Sequence, residues 1–273
     1  ESDTNVQWAA KVAASGQVVW AKTFGTLGLV RAVAEANDGG IVLVGDTTVS
    51  GSAATQVTRI SPSGDVVFAR TYGQGRLYGV TAVSTGGLAA TGATHTGEGA
   101  IVLRIADDGE LLWGFSYEDS SPDNAELQGR AIVERSDGFL VAGRRGFGAG
   151  ADFWALQVGA DGGLGWSRTY GGPARDEVTS AVRTPDDGAL LVGETSSFGG
   201  TTQTLAIRVP QSGAFTFASG GGGAAKNVEG IKQALPGAPT TQTPTPKAMT
   251  VSTEAAPAKS WPMTPSKAKL TKL

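Results

Sequence analysis

The stretch DGGLGWSRTYGG, residues 161–172, packs five glycines around a tryptophan and a tyrosine. As a phosphate cradle it would stand once in the chain, between a strand and a helix. As a turn between two strands it is free to recur, and it does. Gly16 precedes Trp20 by four residues, and the same spacing separates Gly64 from Phe68, Gly109 from Trp113, Gly162 from Trp166 and Gly213 from Phe217. In four of these copies a second aromatic follows four residues later, as Phe24, Tyr72, Tyr117 and Tyr170. Successive glycines are 48, 45, 53 and 51 residues apart. Two further markers keep the same rhythm. One is DGGIVLVG at 38–45, TGGLAATG at 85–92, SDGFLVAG at 136–143 and DDGALLVG at 186–193. The other is the strand WAAKV at 8–12, QVTRI at 56–60, IVLRI at 101–105, WALQV at 154–158 and LAIRV at 205–209. A period of this length with four strands per copy signals blade-type repeats. The glycines of 161–172 lead into another strand with no Gly-Lys-Ser/Thr behind them, so the stretch is a recurring turn.

Composition agrees. Of 41 glycines, only Gly230 and Gly237 lie beyond Gly223, and before that point short Val-, Ile-, Leu- and Thr-rich segments alternate with Gly/Asp/Ser clusters. That is the pattern of many short strands joined by turns. No segment holds a helical apolar period, and no apolar run approaches the ~20 residues that span a bilayer. The net charge is −3, divided unevenly: residues 224–273 carry seven Lys and two Glu, while residues 1–223 carry a net −8. An acidic body without a dense basic stripe is not a nucleic-acid surface. There is no cysteine, so disulfides and thiolate metal sites are excluded. The chain begins Glu1-Ser2-Asp3, the expected look of a mature chain whose signal peptide has been removed.

A four-stranded unit of this size cannot bury both faces alone, whereas radial stacking of copies does so and leaves only short edges. The expected fold is therefore an all-β propeller. Each unit runs inner strand, G-x4-G strand, third strand and an aromatic outer strand that packs on the neighbouring blade. Four units are complete, at about 29–71, 77–117, 128–170 and 178–218. Residues 6–24 supply only a third and a fourth strand, and 227–243 look like a degraded first and second. A five-bladed ring is expected over 1–243, its fifth blade shared between 6–24 and 227–243. Pro239 makes 238–243 the weak member, and the alternative is an open arc completed by another chain. Residues 244–273 form an irregular Pro/Thr/Lys-rich arm.

The stretch WSRTYGGPARDEVTSAVRTPDDGALLVGETSSFGG, 166–200, resembles the bacterial β-propeller repeats called SBBP or delta-60 type. Those repeats run aromatic-x-x-Thr-Tyr-Gly-Gly, an acidic residue, an apolar strand, Asp-Gly-Gly and an apolar-Gly-x-Thr ending. The likeness spans about 6–218 at the level of repeat grammar. It departs at STGG in the second unit and at SYEDSSPDN, which replaces Thr-Tyr-Gly-Gly before the third. The resemblance implies a propeller on a secreted or surface protein of bacteria, and it carries no shared catalytic residues.

Little in the sequence carries chemistry. The one histidine, His95, sits in GATHTGEGA with no G-x-S-x-G nucleophile elbow anywhere, and it reads as an exposed loop residue. Asp107-Asp108-Gly109 and Asp186-Asp187-Gly188 lack the D-x-D-x-D-G ladder of a calcium loop and read as turns. GFGAGA at 146–151 fits a loose dinucleotide pattern but runs into the strand DFWALQV instead of a helix. No cofactor and no metal are expected. Arg144 and Arg145 stand where the repeat ends in Thr, with Phe147 following; an Arg pair beside an aromatic can grip a carboxylate, phosphate or sugar, or it can be an ordinary solvated loop paired with Asp152. Trp8, Trp20, Trp113, Trp154 and Trp166 fall on repeat positions and read as packing residues. The insertion 118–127, EDSSPDNAEL, is an acidic rim candidate. From Pro236 to Leu273 lie seven of the twelve prolines, in a segment too poor in apolar surface to order itself alone. Its end, KSWPMTPSKAKLTKL, offers Trp261 and Met263 as apolar anchors with Lys267 and Lys269 beside them, suited to a groove on a larger partner. A flexible spacer is the other reading of this arm. The expected function is thus a non-catalytic extracytoplasmic interaction or scaffold module, an accessory subunit joined to a bacterial envelope or surface assembly by its arm. A carbohydrate-binding propeller is the alternative, and an enzyme with a site at the central channel a more distant one.

Overall fold

The computed structural model describes residues 7–24, 28–119, 125–197, 201–214, 226–227 and 230–234. Apart from one 3-10 turn at Gly148–Gly150, every element among them is a strand. A half-unit comes first: β1 (Gln7–Val12) pairs antiparallel with β2 (Val18–Phe24). The first unit is β3 (Gly28–Glu35), β4 (Ile41–Val49), β5 (Ser52–Ile60) and the N-terminal half of β6 (Val66–Ala82). The C-terminal half of β6 opens the second unit, followed by β7 (Leu88–Thr94), β8 (Gly99–Ile105) and β9 (Leu111–Asp119). The third is β10 (Leu127–Arg135), β11 (Gly138–Arg145), β12 (Asp152–Val158) and β13 (Leu164–Tyr170). The fourth shows β14 (Asp176–Arg183), β15 (Ala189–Thr195) and β16 (Gln203–Val209). Each unit is an antiparallel meander, and the expected boundaries of the first three hold to within a few residues, while the expected fourth strand of the fourth unit lies largely outside the described residues. At one boundary no loop exists: β6 runs unbroken from the ladder with β5 into the ladder with β7.

The units stack face to face, and this explains why their middle strands carry apolar residues on both faces. All seven residues of β8 are buried. Ile101, Leu103 and Ile105 join Val44, Val57 and Phe68 of the first unit, while the alternate Ala100 and Val102 join Val141, Trp154 and Leu156 of the third. In β11, Phe139 and Val141 face the second unit, and Leu140 and Ala142 pack with Val178, Leu191 and Ile207 of the fourth. A strand sandwiched on both faces loses the polar alternation of a half-exposed one.

The recurring turn is the latch between neighbours. Gly162 has φ +80, a conformation that glycine adopts without strain. A Cβ there would stand 2.5 Å from Phe115 and 3.2 Å from Trp113, because aromatics of the preceding unit lie flat on the turn. The Gly162 carbonyl accepts the Tyr117 hydroxyl at 2.8 Å, and Ala160 accepts the indole N–H of Trp113 at 2.9 Å. The same contact joins Tyr72 to Gly109 and Tyr170 to Gly213, each at 2.8 Å. It also joins Trp20 to Pro62 at 3.0 Å and Trp166 to Gln211 at 3.2 Å. Outer-strand aromatics therefore pack on the next unit, as the repeat predicts.

Three side chains show where this succession stops. Trp8 and Trp154 occupy the same repeat position, yet Trp154 is fully buried and Trp8 is 70 % exposed, which corrects the packing role expected for Trp8. Arg59, Arg104 and Arg208 of the third strands hold the preceding turn, through Asp38, the Gly86 carbonyl and Asp186 respectively. Lys11 stands at their position on β1 and is exposed, with no such turn beside it among the described residues. Gly16, which matches Gly162, has no atom within 4 Å of where its Cβ would be. The described part of 227–243 does not pair with β1. Instead β17 (Lys226–Asn227) adds to β13, and β18 (Gly230–Ala234) adds to β9. An outer strand already bound to its own unit still presents a free ladder edge, and these edges take the segment. Residues 235–243 and the arm 244–273 lie outside the described residues.

Candidate ligand-binding site

The first strands of all four units meet, and each carries the same defect. Pairing with the second strand slips by one residue between Val30 and Ala32, Leu77 and Gly79, Gly129 and Ala131, and Val178 and Ser180. The extra residues are Arg31, Tyr78, Arg130 and Thr179. A bulge leaves its extra residue out of the ladder and re-aims the side chain. All four line one open cavity of 530 Å³, together with Val30, Arg175, Glu177, Val178 and Glu194.

The second glycine of the G-x4-G marker makes the bulge possible. Gly45, Gly92, Gly143 and Gly193 lie opposite the slips. A Cβ on any of them would be built into a first-strand carbonyl, 2.8, 2.7, 2.9 and 2.9 Å respectively from the carbonyl carbons of Leu29, Arg76, Gln128 and Glu177. Real Cβ atoms do not approach so closely, so only glycine fits where the bulged strand comes near.

Charge at the cavity is organised around two partly buried carboxylates. Asp46 pairs closely with Arg31 and lies 3.9 Å from Arg76. Glu177 pairs closely with Arg175, receives Arg130 Nη2 at 2.9 Å and stands 3.8 Å from Arg144. Burial pushes the Glu177 carboxyl up, but the Arg175 hydrogen bond and the charges of Arg130, Arg175 and Arg144 outweigh it and hold the group below its ordinary range. The hydrogen bond to Asp46 raises Arg31, against the opposing effect of burial. Two more exposed acids, Glu126 and Glu194, lie 3.4 and 3.9 Å from Arg144 and Arg175. Tyr78 sits between strands β3 and β10, with the Arg31 guanidinium 5.1 Å and the Arg130 guanidinium 4.8 Å from its ring centroid. A second cavity, of 390 Å³, lies further along the same strands and is lined by Val80, Ile132, Val133, Glu134, Ala181 and Arg183 among others. There Glu134 is bonded to Ser84 at 2.8 Å and Arg183 is paired to Asp187 at 2.7 Å.

The residues singled out from the sequence fare differently. Arg144 is 10 % exposed, bonded to Gln128 and the Gly146 carbonyl, and within reach of Glu126 and Glu177. Arg145 pairs at 2.6 Å with the buried Asp119. Both arginines therefore already serve internal acids, which is the ordinary ion-paired alternative. Phe147 is 75 % exposed, and the Arg144 guanidinium lies 5.1 Å from its ring centroid. GFGAGA forms the 3-10 turn that leads into β12. His95 lies exposed in a turn, Asp108 accepts the amide of Glu110 within its own turn, and Asp187 accepts the amide of Ser136 from the third unit. Among the described residues no three His, Asp or Glu side chains converge as a metal site requires, and no helix is long and apolar enough to cross a membrane. Trp261, Met263, Lys267 and Lys269 lie outside the described residues, as do residues 120–124 of the 118–127 insertion. Arg31, Tyr78, Arg130 and Thr179 went unmarked by the sequence reading. Their signal is positional: each stands thirteen or fourteen residues before the second glycine of its G-x4-G marker.

No family model and no curated protein matches the chain. Among solved structures it is similar to a protein of unknown function from Bacteroides caccae, at 14 % identity and a TM-score of 0.49 over 80 % of this chain. It is also similar to a protein from Lactobacillus plantarum, at 13 % identity and a TM-score of 0.47 over 82 % of this chain. The chain spans 65 and 66 % of their lengths, about two thirds of each.

Proposed function

We propose that this chain is a non-catalytic interaction propeller whose recognition site is the cavity among its inner strands. The observation that carries this reading is the contrast between backbone and side chain at the bulges. One backbone device is repeated four times, yet it delivers Arg31, Tyr78, Arg130 and Thr179 to a single cavity. A lectin made of repeats would repeat its contact residues and bind once per unit. Four unlike side chains make one composite site. The only histidine does not line the cavity, and its carboxylates are engaged by arginines, which supports binding over turnover.

The ring in this proposal has five places, the fifth half-filled by β1 and β2. Exposed Trp8, turnless Lys11 and the bare pad at Gly16 support it, since each lacks what its counterparts touch. Val33 on β3 adds to this: it is 61 % exposed where the matching Ile132 is 5 % exposed. The sequence also holds a first strand for that place. Glu229 precedes Gly237 by eight residues, as Arg31 precedes Gly39, Tyr78 precedes Gly86 and Thr179 precedes Asp187. The last three turn positions all have left-handed φ, +80, +102 and +63. In the closed ring, Gly230–Ala234 leaves the β9 edge and pairs beside β1. The resemblance to SBBP-type repeats supports an extracytoplasmic setting, and the Lys- and Pro-rich arm 244–273 supports attachment to a larger envelope assembly.

The test uses full-length protein beside a Tyr78→Ala/Arg130→Ala double variant whose melting curve shows that it folds. Both are offered a bacterial envelope protein fraction and a glycan array. The proposal expects a protein partner bound once per chain and lost with the double variant. Several identical sugars bound per chain, unaffected by the double variant, would establish the lectin instead.

A further inference from the structure

We infer that the cavity is a receptor for a carboxylate carried on an acidic peptide segment, seated against Arg31, Tyr78 and Arg130. The inference rests on the recognition role proposed above and names its chemistry. Charge points to it first. Five guanidiniums, of Arg31, Arg76, Arg130, Arg144 and Arg175, gather on the two carboxylates Asp46 and Glu177. Adding the outlying Glu126 and Glu194 still leaves more cations than acids.

Unused donors are the second observation. Arg31 spends its Nε on Asp46, and Arg130 spends Nη2 on Glu177. Their remaining N–H groups have no acceptor among the described residues. A guanidinium offers five donors in a planar fork, so each can hold an internal acid and still present an edge to an incoming carboxylate. Tyr78 is similarly free. The other three tyrosines, Tyr72, Tyr117 and Tyr170, each donate their hydroxyl to a latch glycine. The Tyr78 hydroxyl has no hydrogen-bond partner among the described residues, and its ring is held by cations from both neighbouring strands.

That stacking also decides between ligand classes. A pyranose ring would be recognised on an aromatic face, and the Tyr78 ring is already engaged by guanidiniums from β3 and β10. What Tyr78 presents is its hydroxyl, a donor that suits a carboxylate oxygen. Val30, 40 % exposed, supplies apolar wall for the methylenes of a Glu side chain, and the open mouth admits an extended chain. Glu177 is the internal precedent, a side-chain carboxylate held by Arg130 and Arg175 in the same cavity.

The experiment is calorimetric titration of the full chain with a pentaglutamate peptide, with inorganic phosphate and galacturonate as parallel probes. Pentaglutamate is expected to bind once per chain, more tightly than either small anion, and to weaken as salt is raised. Arg130→Gln is expected to lower its affinity about tenfold or more, the loss of a charge-assisted bond. Tyr78→Phe keeps the ring and the stack and is expected to lower it about threefold to tenfold. Arg183→Gln, at the second cavity, should change nothing. The inference is overturned if pentaglutamate does not bind the folded wild type, if Tyr78→Phe and Arg130→Gln bind it equally well, or if phosphate or galacturonate binds more tightly. Should pentaglutamate fail while the envelope partner is still lost in the Tyr78→Ala/Arg130→Ala variant, the recognition role survives and only the carboxylate chemistry falls.

Discussion

Replacing Gly92 by alanine tests the link between the repeat and the cavity. Gly92 faces Leu77 at the slip that ejects Tyr78, and a Cβ there would overlap the Arg76 carbonyl, 2.7 Å from its carbon and 2.8 Å from Leu77 Cα. Ordinary contact begins near 3.4 Å and the Arg76 carbonyl oxygen lies nearer still, so β6 and β7 must part by more than an ångström or the bulge must flatten. Overpacking of this kind costs about 1–3 kcal/mol. One ladder hydrogen bond lost beside it costs about 1 kcal/mol more. Alanine restricts the unfolded chain, which offsets about 0.5–1 kcal/mol. The net expectation is destabilisation by about 2 kcal/mol, a fall of about 1 M in the urea midpoint with unchanged slope. Gly150→Ala is the control, since no atom lies within 4 Å of its new Cβ and its φ is not left-handed. It should stay within about 0.5 kcal/mol of wild type. If Gly92→Ala unfolds at the wild-type midpoint, or Gly150→Ala loses as much, the marker glycine is not there to admit the bulge and the reasoning fails.

Three further outcomes are expected. Burial pushes the hydroxyls of Tyr72, Tyr117 and Tyr170 well above the ordinary phenol value, so the fold holds them neutral. Their contribution is complete below about pH 10 and is lost as pH rises beyond it, so absorbance titration should show ionisation of these groups only together with unfolding. Tyr117→Phe, which strips the Gly162 carbonyl of its donor, should cost about 1 kcal/mol by urea melting. Closure of the fifth place is read from Trp8. Acrylamide quenching of the fluorescence lost in Trp8→Phe should show a shielded indole in the full chain and an open one in a chain ending at residue 226. Equal quenching in the two would remove Gly230–Ala234 from that place.

The latch was legible because both halves of it recur on one strand and one turn. Trp113, Tyr117 and Gly162 each have counterparts about fifty residues away, and a repeat announces its own contacts. The bulge was hidden for the opposite reason. Its side chains differ from copy to copy, and the glycine that permits it belongs to the next strand, so the pair becomes visible only when register is known. The partners of Arg144 and Arg145 were not legible because their acids, Glu126 and Asp119, lie far back in sequence and reach them by folding. Trp8 looked buried because every repeat position was assumed to have a neighbour. The exchange of Arg for Gln157 on the third strand of the third unit was likewise silent; there the buried Arg135, coming from the first strand, reaches Asp137 and the Gln211 carbonyl instead.

The unbroken run of β6 has a mechanical consequence. Where other neighbours meet through a loop and a latch, the first two units share one unbroken strand whose halves lie in successive ladders, so they cannot swing apart without bending it between Gln74 and Gly75. Whatever opening this molecule undergoes must be concentrated away from that strand, at the joint between the third and fourth units, and amide exchange should be slowest along 66–82 and faster there.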